Sequence, residues 1–88
     1  MRKLIERYCE DNGIEDILFM DGMDKAIMGL SSCFHHAKVV YSYNKIIKIL
    51  QKSMSYDEAV EYFHFNIEGA YVGDGTPIIM RDDICWKQ

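Results

Sequence analysis

Apolar residues recur at helical spacing over residues 1–12. Met1, Leu4, Ile5 and Tyr8 share one face, with Arg2, Lys3, Glu6 and Glu10 elsewhere. Asn12-Gly13 follows as a stop signal, because glycine just past a helix cap accepts positive φ without a Cβ clash. Ile14 is then placed to pack back on Cys9. From residue 16 the pattern changes. Ile17-Leu18-Phe19-Met20 is a short apolar run, and the Asp21-Gly22 that follows is a hairpin signal. A second strand is expected over about Lys25–Ser32, although the run Ala26-Ile27-Met28 breaks strict alternation and also suits a helical turn. Phe34-His35-His36 leads to a third strand over Ala37–Tyr43, where Val39, Val40, Tyr41 and Tyr43 have high β-propensity.

Helical spacing returns over residues 43–52, with Ile46, Ile47 and Leu50 on one face and Lys45, Lys48 and Lys52 on another. Ser55-Tyr56-Asp57-Glu58 is a capping box: the Ser55 hydroxyl reaches the Glu58 amide and the Glu58 carboxylate reaches back. Tyr56, Ala59, Val60, Phe63 and Ile67 form the apolar stripe of this helix. Asp57, Glu58, Glu61, His64 and Glu68 lie opposite, and Gly69 ends it. Gly73-Asp74-Gly75-Thr76-Pro77 reads as a tight turn, with Gly73 and Gly75 supplying positive φ. Ile78-Ile79-Met80 makes a last strand, and Pro77 suits its first residue or a sheet edge because it has no amide proton to donate. The element order is α-β-β-β-α-α-β. It predicts a single α+β domain over residues 1–88, an antiparallel sheet of about four strands with helices packed on one face.

Composition leaves this picture in place. With 88 residues, 49% hydrophobic and 27% charged, the chain has room for one thin core and an expected radius of gyration of about 12 Å. Ten bases against fourteen acids give a net charge of −4, spread evenly along the chain. The lack of a basic face disfavours nucleic acid as a partner, since phosphate contacts dominate that affinity. Three cysteines, Cys9, Cys33 and Cys85, are odd in number and widely spaced, which is no disulfide framework. The charged first helix does not read as a signal peptide, and no apolar run approaches a membrane span. A cytoplasmic protein with reduced thiols and no membrane partner is expected.

The stretch from Asp21 to Met80 resembles a family of small bacteriophage-encoded proteins with no established activity. The resemblance rests on Asp21-Gly22-Met23-Asp24-Lys25-Ala26-Ile27-Met28-Gly29, on Tyr41-Ser42-Tyr43, and most strongly on the run from Glu61 to Pro77, EYFHFNIEGAYVGDGTP. It implies a small product of the infected cell, in the host cytoplasm, of the kind that binds and modulates a host or host-defence protein.

Several residue groups bear on chemistry. Cys33-x-His35-His36 with His64 holds zinc-type ligands, but only one cluster exists where a structural site takes two close pairs. Cys33 with a histidine also suits a nucleophile and base, yet no orienting acid stands near, and a small buried thiol is the simpler reading. Gly69-x-x-x-Gly73-x-Gly75-Thr76 lacks the lysine and following helix of a phosphate loop. Neither a metal nor a cofactor is expected. The aromatics carry more. Phe63 fits the core stripe, whereas Tyr62 and Phe65 widen the apolar arc beyond it. The leading expectation is therefore a protein-binding module acting by surface occlusion, with Tyr62, Phe65 and Tyr71 as anchors and Glu61, His64 and Glu68 as polar rim. One alternative is a small nucleotide- or metal-binding protein, hydrolytic in one version. It would use Asp21, Asp24, His35, His36, Asp74 and Thr76, and requires the Asp21-Gly22, His35-His36 and Gly73–Thr76 loops to meet. Another is a structural homodimer or larger homo-oligomer.

Overall fold

Local signals set the ends of most elements. The structure is a computed structural model that describes residues 1–32, 37–69 and 75–84. Helix α1 runs Arg2–Asp11. Gly13 follows at φ 68°, and the Ile14 N–H donates to the Cys9 carbonyl at 2.9 Å, the closing bond of a Schellman end. A turn closes from the Met23 N–H to the Met20 carbonyl with Gly22 at φ 74°. It opens into a 3₁₀ turn, Asp24–Ala26, and only then into strand β1, Ile27–Leu30. Strand β2 is Val39–Ser42, and helix α2 is Tyr43–Leu50. Helix α3, Tyr56–Phe63, starts at the capping box expected there. The Glu58 N–H donates to Ser55 Oγ at 3.2 Å, and the Ser55 N–H to Glu58 Oε1 at 3.0 Å. The helix widens into a π-helical turn, His64–Glu68, before Gly69 ends it and strand β3, Ile78–Met80, follows.

The sheet differs from the expectation of four antiparallel strands. It has three described strands in the order β1-β2-β3, with β1 antiparallel to β2 and β3 parallel to it. The physical reason lies in the connection. Two helices separate β2 from β3, and a long helical crossover returns the chain in the same direction rather than the opposite one. Ile17–Met20, expected as a strand, pairs with none of the described strands. Its Met20 N–H donates instead to the buried Tyr41 hydroxyl at 2.7 Å, and burial raises the Tyr41 pKa. Asp21-Gly22 is accordingly a turn into 3₁₀ backbone and not a hairpin. The pairing of β1 slips between Ile27 and Gly29, so Met28 is bulged out.

One core cluster gathers Ile5 and Cys9 of α1, Val39 and Tyr41 of β2, Ile46, Ile47 and Leu50 of α2, and Ala59 and Phe63 of α3. Tyr43 meets Phe63 edge-on at 4.7 Å, a pairing that adds to simple burial. Burial raises the Cys9 thiol pKa, so this cysteine is an inert part of the core at neutral pH. The core is thin: the radius of gyration is 13.6 Å, above the compact expectation of about 12 Å.

Two sequence readings of the stripes need correction. Of the face Met1-Leu4-Ile5-Tyr8, only Ile5 is buried, joined by Cys9. Tyr56, read into the stripe of α3, is exposed because it is the first residue of the helix. Gly75 also has a different role from the one expected. Its φ is not positive. A Cβ there would lie 1.9 Å from the Asp16 carbonyl oxygen, so glycine is needed for close backbone approach.

The segment after β3 is fastened to the start of α2. Ser42 caps that helix by accepting the Lys45 N–H at 3.1 Å, and its hydroxyl donates to Asp82 Oδ2. Asp82 Oδ1 accepts the Asn44 N–H at 2.9 Å. A carboxylate thus meets the positive end of the helix dipole.

Candidate interaction surface and adjoining cleft

The end of α3 faces two ways. Phe63 points into the core at 2% exposure. Tyr62 is 44% exposed and Phe65 73% exposed. A π-helical turn inserts extra backbone into the helix, which is a recurrent device for re-aiming side chains. Ile67, four residues past Phe63, packs against the core, while Phe65, two residues past it, stands out. Asn66 Nδ2 donates to the Tyr62 carbonyl at 3.2 Å.

The expected rim residues surround these rings. Glu61, His64 and Glu68 are all exposed. His64 lies edge-on to Phe65, with ring centroids 5.3 Å apart, and its Nδ1 is 3.2 Å from Glu68 Oε1. The imidazole therefore braces Phe65 while held by Glu68. Glu68 Oε2 also lies 3.6 Å from the Arg81 guanidinium. Tyr71, the third expected anchor, lies outside the described residues.

Sequence reasoning missed what lies beside this ridge. A cleft of about 740 Å³ opens between the Leu18–Met20 segment, the π-helical turn and β3. Its apolar lining comes from Leu18, Phe19, Met20, Ile67, Pro77 and Ile79. Asn66, Glu68, Thr76 and Arg81 bring polar groups to it. Arg81 is fixed in place by Asp83 through Nε at 2.9 Å and Nη2 at 2.7 Å, and its guanidinium sits 4.1 Å over the Tyr43 ring. The Arg81 contact holds the Asp83 carboxyl below the usual range, and the same contact raises Arg81 further. Nothing local in the sequence marks Arg81. Its position depends on the parallel return of β3.

The alternative ligand site is only partly gathered. Asp24 is engaged by Arg2 at 3.1 Å, and that guanidinium also covers the Phe19 ring at 4.3 Å. Thr76 lines the cleft, whereas Asp21 and Asp24 are not among its lining residues. His35, His36 and Asp74 lie outside the described residues. Among the described residues no group of three His, Cys, Asp or Glu is placed to hold a metal ion, and no helix is long and apolar enough to cross a membrane. Comparison of the chain with protein-family models, curated proteins and solved structures finds no match.

Proposed function

We propose that this chain is a protein-binding module whose contact surface is the outer side of α3 and its π-helical turn. Tyr62 and Phe65 are the anchors, and Glu61, His64 and Glu68 form the rim. The observation that carries this reading is the exposure of two large aromatics beside an apolar cleft, on a helix whose core residues are separately satisfied. A ring held out at 73% exposure costs hydration that the isolated chain does not recover, and partially shielded aromatics ringed by polar groups are the usual anchors of interfaces. The ridge would enter a pocket on the partner, and the cleft would receive an apolar side chain in return.

The resemblance of the Glu61–Pro77 run to small phage proteins supports a host or host-defence protein as that partner, modulated or inhibited by occlusion of its surface. The test is a double change, Tyr62→Ala with Phe65→Ala, in chain recovered from bacterial lysate and weighed under native conditions. Wild type should carry a stoichiometric polypeptide, and the folded double variant should arrive without it. A double variant that keeps the polypeptide in full would refute this surface.

A further inference from the structure

One end of the apolar cleft holds a fixed cation with unused donors. Pro77, Ile79 and Arg81 all line the cleft. They are alternate residues, so they form one row about 13 Å long that starts at Pro77 and ends at Arg81. Asp83 takes Nε and Nη2 of Arg81 in a fork, and the guanidinium sits over the Tyr43 ring. Both contacts fix its orientation. Both leave Nη1 without a hydrogen bond among the described residues. Its ion-pair partner, Glu68 Oε2, stays at 3.6 Å, beyond the roughly 2.7–2.9 Å of a charge-assisted bond.

Glu68 indicates what chemistry suits that position. A carboxylate already stands before Nη1, but it is shared, because its other oxygen lies 3.2 Å from His64 Nδ1. A carboxylate on a separate molecule is free of that tether and can close the gap. From Arg81 the row leads past Ile79 to Pro77, with Leu18, Met20 and Ile67 as further walls. That run calls for an apolar tail behind the charged head.

We propose that the cleft binds a small carboxylic acid with an apolar tail, its carboxylate on Arg81 Nη1 and its tail along Ile79 and Pro77. Guanidinium and carboxylate match in geometry, and an apolar hollow with a few convergent polar groups is the usual form of a small-molecule site. The net charge of −4 repels an acid, but exposed charges are screened beyond about 8–10 Å at ordinary salt, whereas Arg81 acts at contact. On binding, Glu68 gives up Arg81 and keeps His64, so Glu68 is the internal competitor for the site. The acid would also compete with the partner side chain assigned to this cleft. That competition rests on the contact reading above, and the binding itself does not.

The test is NMR titration of the full chain with sodium octanoate, without any partner protein. Wild type should bind with a Kd of about 1 mM, with the largest methyl shifts at Ile67 and Ile79. Octylamine and octanol carry the same tail and should bind at least about tenfold more weakly, because the charge-assisted hydrogen bond is lost. Arg81→Gln should weaken octanoate by the same factor. Glu68→Gln should tighten it about twofold to fivefold, the worth of an exposed ion pair. Arg81→Gln also frees Asp83, so the head-group series on wild type carries the test where that variant fails to fold. The proposal is overturned by octanol or octylamine binding as well as octanoate, or by shifts that lie away from Ile67 and Ile79. It is equally overturned by weaker octanoate binding in Glu68→Gln, or by no saturable shift up to roughly 10 mM. None of these outcomes bears on the aromatic ridge, which the lysate experiment tests separately.

Discussion

Helices α1 and α3 are similar in length and opposite in construction. α3 begins with a reciprocal capping box and has Asp57 and Glu58 in its first turn, where the dipole favours them. α1 has no side-chain cap, and its charges are ordered against its dipole. Each displays apolar surface, but α3 displays aromatics from a helix stabilised by its own ends and by a full core contact. α1 displays a row that its own fold does not use. The difference separates two causes of exposure. On α3, local stability is secured first and the rings are held out from it. On α1, the exposed row lies outside the core and the helix ends add no side-chain cap.

The sharpest way to break the comparison is inside α3, between two phenylalanines two residues apart. Phe63→Ala removes the ring that meets Tyr43 in the core and should cost about 3–5 kcal/mol. In a domain of this size that lowers Tm by well over 10 °C. Phe65→Ala should move stability by less than about 0.5 kcal/mol. Equal effects in thermal melts would mean that this end of the helix is not divided into a core side and a contact side.

Next in size is Gly75→Ala. The new methyl group meets the Asp16 carbonyl oxygen, backbone that cannot rotate away. Destabilisation of about 3 kcal/mol is expected in urea titration. Since Thr76 and Pro77 line the cleft, the same variant should weaken partner binding even where it remains folded. A neutral outcome would show that the cleft wall tolerates displacement.

The caps give the third contrast. Ser55→Ala should cost α3 about 1 kcal/mol. The Ser55 backbone N–H holds the Glu58 carboxyl below its ordinary range, with the Ser55 side chain adding to this. A depressed carboxylate pKa contributes stability above the unfolded value of about 4.3, and that contribution is lost as pH falls through the folded value. Acid melts of wild type and Glu58→Gln should therefore converge below pH 4 and separate above it. Parallel curves would remove Glu58 from the account.

The smallest effect has the opposite sign. Lys3→Glu puts an acid in the first turn of α1 and should stabilise the chain by about 0.3–1 kcal/mol, read as a raised Tm. An unchanged or lowered Tm would show that the charge order of α1 does not limit its stability.

What could be read in the sequence follows the range of the signal. The capping box, the Gly13 helix end and the Ile46-Ile47-Leu50 stripe are set by neighbours within about four residues, and all stand as expected. Tyr62 and Phe65 were legible as aromatics off the core stripe, and both are exposed. The strand at Ile17–Met20 was not recoverable from its own composition, because pairing depends on whether a neighbouring edge is free. Here Tyr41 took its amide instead. The parallel β3 did have a signal, the two helices between residues 43 and 69, which call for a crossover. The cleft followed from that topology and from Gly75 against Asp16, a contact across 59 positions that no local pattern shows.

The most direct measurement is the affinity of the recovered partner for wild type and for Phe65→Ala, with Tm taken on the same samples. A hot-spot anchor predicts an affinity loss of roughly 30-fold or more with Tm unchanged within about 3 °C. Unchanged affinity, or a loss that only tracks a fall in Tm, would contradict the assignment of Phe65 as a contact residue.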